Sequence, residues 1–117
     1  RDYRNINAYK HADELAIEVY KTTKNFPKEE SLAYILIKKA AVSVAANIVG
    51  GSSRQHKKDY LNFLFVSRGS LCETDYLLNL SFKLGYLKAN EFDLLDEKRK
   101  EVAKTLFGLI ESVKKEV

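Results

Sequence analysis

Apolar residues recur at steps of three and four along nearly the whole chain, and alternating runs of the kind that make half-buried strands are missing. That period predicts helix throughout. A first helix fits residues 6–24, with Ile6, Tyr9, Ala12, Ala16, Val19, Tyr20 and Thr23 on one face and Asn25-Phe26-Pro27 as its stop. Pro27 suits a helix start, where its missing N–H costs nothing, and Glu29 and Glu30 suit the positive end of the dipole; a second helix spans 28–49. Gly50-Gly51 supplies a left-handed cap, and Ser52 with Gln55 has the spacing of a capping box opening a third helix over 53–84. Gly85 caps that helix. A fourth, 90–115, carries Phe92, Leu95, Val102, Ala103, Leu106, Ile110 and Val113 on one side, interrupted by Arg99.

Four helices joined by short links favour antiparallel neighbours. The expected fold is therefore all-α, one domain over 1–117, built as an antiparallel up-down-up-down four-helix bundle. At about 1.5 Å per residue its helices run roughly 27 to 45 Å, which makes the domain a rod.

The second helix does not fit an isolated bundle. Every residue from Leu32 to Val49 is apolar except Lys38, Lys39, Ser43 and Asn47, and those four fall within half of the helical wheel. Such a helix is buried on more than one side, and the extra cover comes from another chain or from the N-terminal segment. The first of these predicts a homo-oligomer built around this helix, with Ala40, Ala41, Val44, Ala45 and Ile48 at the interface and Ala40, Ala41, Ala45 and Ala46 allowing close approach. Two lysines near the middle of the stretch argue against a membrane span. On the third helix Tyr60, Leu61, Phe63, Leu64, Phe65 and Val66 cover most of the circumference, so one face serves the core and another a neighbour. Arg68, Gly69 and Ser70 form a polar break, read as close helix approach or as an Arg68 ion pair with Glu73 or Asp75.

Composition narrows the setting. Apolar content of 45% with 11% aromatic residues argues against disorder. One cysteine, Cys72, forms no internal disulfide, and no segment resembles a signal peptide, so a reducing, cytoplasmic setting is expected. Charge is uneven: the first 58 residues hold 11 lysines and arginines against six acids, the remainder nine against ten. Lys38 and Lys39, and Arg54, Lys57 and Lys58 with His56, are the concentrated groups. Repeated around a ring, they become a field that attracts nucleic-acid phosphates; the alternative is a solvated surface.

The motifs point to no reaction, and an enzyme is not expected. Di-iron bundles need Glu-x-x-His pairs, and the residues three before His11 and His56 are Ala8 and Ser53, so no metal or cofactor is expected. Gly50-Gly51-Ser52-Ser53-Arg54 lacks the strand and spacing of a phosphate loop and reads as capping. Cys72 reads as a buried small hydrophobe, and His11 and His56 as surface residues.

With those residues in view, the chain resembles the 23S ribosomal RNA intervening-sequence proteins, a family of four-helix bundles. The resemblance spans nearly the whole chain and rests mainly on Lys38-Lys39-Ala40-Ala41-Val42-Ser43-Val44-Ala45-Ala46-Asn47-Ile48-Val49-Gly50-Gly51, which looks like a basic pair, Ala-Ala, a Ser, then Asn-Ile-Ala-Glu-Gly. Phe26-Pro27-Lys28-Glu29-Glu30, Arg54, Gly69-Ser70-Leu71 followed by Glu73, and Leu84-Gly85-Tyr86 add to it. Lysines stand for the usual arginines at Lys38 and Lys39, Val49 for Ala, and Gly50 for Glu. The resemblance implies a cytoplasmic bacterial protein that assembles as a ring, commonly a pentamer, without enzymatic activity. It is similar too to the accessory variability determinant of diversity-generating retroelements, which implies that Lys38, Lys39, Arg54, Lys57 and Lys58 are RNA or DNA contacts. A scaffold holding a protein partner is the alternative of a different class.

Overall fold

The computed structural model describes residues 2–117, and side chains throughout that range except 30–32. Four helices form, α1 Asn7–Thr23, α2 Ser31–Ser52, α3 Lys57–Lys83 and α4 Ala89–Lys114, with short 3-10 turns at Tyr3–Asn5 and Lys28–Glu30 and no strand among the described residues. Each long helix packs on two others, in the cycle α1, α2, α3, α4 and back to α1. The molecule measures 45 × 22 × 20 Å, in keeping with the expected rod.

The sequence signals at the helix ends work in different ways. Gly85 closes α3 as predicted: its φ of +80° lets its N–H reach the Phe82 carbonyl at 3.0 Å while the Tyr86 N–H reaches Ser81 at 2.9 Å. These two bonds satisfy carbonyls that the helix end leaves open. Gly50 and Gly51 do not cap α2. Both are helical and α2 runs on to Ser52, because their missing side chains let α3 approach: a Cβ on Gly51 would lie 2.8 Å from the Phe63 Cβ. The Ser52 and Gln55 capping box is likewise not formed; α3 begins at Lys57 with His56 as its N-cap, and Ser52 donates instead to the Val49 carbonyl at 2.8 Å. Pro27 precedes a 3-10 turn, and α2 starts at Ser31. The expected roles of the Glu30 and Leu32 side chains lie outside the described residues.

The core is one cluster drawn from all four helices. On α4 the predicted stripe holds, with Leu95, Val102, Leu106, Ile110 and Val113 buried. On α1 the buried face is rotated toward Ala8 and Leu15, so Tyr20 turns out to the surface. Between α2 and α3 runs a polar seam: Ser67 donates to the Val44 carbonyl at 2.7 Å, the Ser43 and Ser70 hydroxyls lie 2.8 Å apart, and Asn47 donates to the Ser43 carbonyl at 2.8 Å. Small hydroxyls paired in this way let two helices approach without orphaned donors. The Ser of the most distinctive sequence segment therefore serves α2–α3 contact, while its Asn bonds back to that Ser within α2.

Arg99, the break in the α4 stripe, joins α4 to α3. Its guanidinium donates to Asp96 at 2.8 and 3.0 Å and lies 3.2 Å from an Asp75 oxygen, so Asp75 pairs with Arg99 and not with Arg68. Arg68 stands over the Phe65 ring instead. Burial alone would raise the Asp96 pKa, but the Arg99 bond and the charges of Arg99 and Lys100 outweigh it and hold that carboxyl below its usual range. A depressed folded-state pKa stabilises the protein above the unfolded value of about 3.9, and the stabilisation is lost as pH falls through the folded value. Asp96→Asn is expected to cost about 1 kcal/mol near neutral pH. The difference from wild type should shrink as pH falls through the lowered carboxyl range, which urea unfolding near neutral and at acid pH reads directly.

Candidate nucleic-acid interface

The five cations proposed from sequence do not form one patch. Arg54, Lys57 and Lys58 come together where α2 turns into α3. The Arg54 N–H bonds to the Gly51 carbonyl at 3.0 Å, and its exposed guanidinium stands 5.1 Å from the Phe63 ring centroid. The Lys57 ammonium lies 3.4 Å from the Glu116 carboxylate, which neutralises part of its charge, while Lys58 is exposed. That same ion pair brings the end of α4 to this end of the rod, and with it Lys114 and the exposed Lys115. Lys114 pairs with Glu111 at 3.2 Å. Lys115, which linear reading missed, precedes Glu116 directly and so shares this end of the rod.

Lys38 and Lys39 sit about 20 Å before the end of α2 at Ser52, at about 1.5 Å per residue, and so well away from Arg54. They also diverge. Lys38 turns toward α1, where its ammonium donates to the Tyr34 hydroxyl and lies 4.6 Å from the Tyr20 ring centroid. Lys39 is exposed and lines an open groove of about 730 Å³ between α2 and α3, with Ser43, Ser70, Glu73, Tyr76 and Leu77 among its other walls. Adjacent residues on a helix point about 100° apart, so a basic pair on α2 serves two surfaces.

The interface residues proposed on α2 need correction. Ala41, Val44 and Ile48 are fully buried within the chain's own core, Ala40 nearly so, and Ala45 half-buried. The small side chains do allow close approach, but of α2 to its own neighbours. The face of α2 left outward is Ile35, Lys39, Val42 and Ala46, at steps of four and three, with Leu36 beside it. Residues Ala33–Ser52 are long and apolar enough by length and composition to cross a membrane, and 33% of the tested stretch is buried inside the protein. On α3, Val66 and Tyr76 are exposed at 55% and 64%.

Chemistry-bearing residues are dispersed. Cys72 is exposed on α3, contrary to the expectation that it is buried, because α3 carries serine and threonine at several positions facing its neighbours and turns 72 outward. His56 is exposed, whereas His11 is half-buried between α1 and α4 with its Nδ1 4.0 Å from Glu14. Among the described residues no group of three or more His, Cys, Asp or Glu is placed to hold a metal ion.

The family described as 23S rRNA-intervening sequence protein matches residues 4–108. A crystal structure from Bacteroides thetaiotaomicron, of a protein with unknown function from the S23 ribosomal protein family, superposes with a TM-score of 0.81. The two are 22% identical, and the match covers 88% of this chain and 97% of that one. No functionally curated protein matches the chain.

Proposed function

The chain belongs to the 23S rRNA-intervening sequence protein family, and from that premise we propose that it is a non-enzymatic accessory protein that binds RNA or DNA as a homo-oligomer. The observation that carries the reading is the cluster of Arg54, Lys57, Lys58 and Lys115 at one end of the rod, where Arg54, Lys58 and Lys115 are exposed and only Lys57 is shown paired with a carboxylate. Exposed ammonium and guanidinium groups at one end displace counterions from a phosphate backbone, which gives affinity without sequence reading. Lys38, spent on two tyrosines, drops out of the contact set, and Lys39 belongs to a different surface.

The oligomer is a ring, a pentamer by resemblance, of up-down-up-down bundles in the cytoplasm. The Lys57–Glu116 pair, from the start of α3 to the end of α4, supports antiparallel helices. The outward stripe of Ile35, Val42 and Ala46 supports cover by a second copy, since a lipid environment would have to accommodate Lys38 and Lys39 in mid-helix. A protein scaffold is the second reading, favoured by the dispersal of the lysines and by the groove between α2 and α3.

The test is a variant carrying Arg54→Gln, Lys58→Gln and Lys115→Gln. Its binding to duplex DNA is expected to lose about 2.7 from the slope of log affinity against log salt, at about 0.9 per phosphate contact. Lys39→Gln is expected to leave that slope unchanged. An unchanged slope in the triple variant, with binding retained, sinks the assignment.

A further inference from the structure

At the corner between α1 and α2 stand Tyr20, turned out of the core, and Tyr34, half-buried at the core's edge. Tyr20 is 46% exposed. The Lys38 ammonium lies 3.7 Å from the Tyr34 ring centroid and 4.6 Å from that of Tyr20. A cation held against both rings fixes two surface tyrosines in place, so little side-chain freedom remains to be lost on binding. Lys24 follows α1 and Lys28 lies in the 3-10 turn; between them the buried Phe26 anchors the connection against Tyr86, with ring centroids 5.5 Å apart. The Lys38 hydrogen bond, then the charges of Lys38, Lys28 and Lys24, hold the Tyr34 phenol below its usual range. Lys24 and Lys28 are both exposed, and among the described residues neither is paired with a carboxylate.

Fixed aromatic rings beside exposed cations are what unpaired nucleotides require: bases stack on the rings while ammonium groups follow the phosphates. A duplex, whose bases already stack on one another, gains only the phosphate contacts. Resting on the nucleic-acid reading above, we infer that Tyr20 and Tyr34, with Lys24 and Lys28, form a site for single-stranded RNA or DNA, separate from the phosphate-tracking end at Arg54 and Lys58. The surface thus divides its work, one end for backbone of any form and one corner for unstacked bases.

The experiment compares binding of oligouridylate and of an RNA duplex by the full chain and by Tyr20→Ala, Tyr20→Phe and a Lys24→Gln, Lys28→Gln double variant. Tyr20→Ala is expected to weaken oligouridylate about tenfold, as loss of one stacked base does, and to leave the duplex within about twofold. Tyr20→Phe keeps the ring and should bind as wild type. The double variant should lose about 1.4 from the salt slope for oligouridylate. Thermal unfolding of each variant confirms that the half-exposed position leaves the fold intact. Equal loss for both ligands in Tyr20→Ala, or no loss, overturns the inference. Binding to phosphatidylcholine–phosphatidylserine vesicles that the double variant abolishes, without oligouridylate binding, reassigns the corner to a lipid surface. Duplex binding with no response to any corner variant overturns this inference and leaves the proposed function standing; no binding of either nucleic acid overturns both.

Discussion

Replacing Gly51 with alanine is expected to lower the unfolding free energy by about 1–3 kcal/mol, the usual cost of forcing atoms into a filled interior. The added Cβ would meet the Phe63 Cβ at 2.8 Å and the Tyr60 Cδ1 at 2.9 Å. A Cβ is rigidly attached to its backbone, so relief requires α3 itself to shift, and α3 is held by the Ser67 and Ser70 bonds of the polar seam. Alanine restores up to about 1 kcal/mol of helix propensity, which offsets part of the cost. Gly69 and Gly108, also helical, have open space where a Cβ would go, so Gly69→Ala and Gly108→Ala receive that gain without the clash. Urea unfolding of the three variants should give opposite signs. Equal stabilisation by all three would mean that Gly51 is not there for close helix approach.

Truncating Ile48 to alanine has the largest expected effect, a loss of about 2–5 kcal/mol in the stability of the protomer. Its side chain is fully buried among core residues of the same chain, and the change leaves a cavity that helices crossing so closely refill only in part. Ile35→Ser with Val42→Ser is expected to behave differently. Those positions face outward at 54% and 41% exposure, so the double variant should keep its helical content and lose oligomer mass. Light scattering and circular dichroism on the two variants separate the outcomes. If Ile48→Ala instead releases a folded, fully stable protomer, the buried face of α2 is an interface between chains after all.

Much of the fold is legible in the sequence because a helical period needs only local counting. The α4 stripe, the Gly85 cap and the number of helices follow from it directly. What escapes is whatever depends on the angle between helices. The wheel of α2 shows that it is apolar on more than one side, but not which side meets α1 and α3; Ala41, Val44 and Ile48 face inward because Gly50, Gly51 and Ser43 bring α3 against that side. Gly-Gly before Ser reads as a helix end, yet the same residues continue a helix when a neighbouring phenyl ring lies where a Cβ would be. In the candidate site, Arg54, Lys57 and Lys58 are close in sequence and stay together in space, so their grouping is readable. Lys115 joins them and Lys38 leaves them through contacts with residues distant along the chain, Glu116 with Lys57 and Tyr20 with Lys38, for which spacing carries no signal.

The most direct test of the central claim is binding of the purified protein to structured RNA and to duplex DNA across a salt series, with oligomer mass determined in the same buffers. The account predicts a stable oligomer whose affinity falls steeply and linearly on a log–log scale as salt rises. A stable oligomer that binds neither nucleic acid even at low salt would contradict it and leave the protein scaffold as the function.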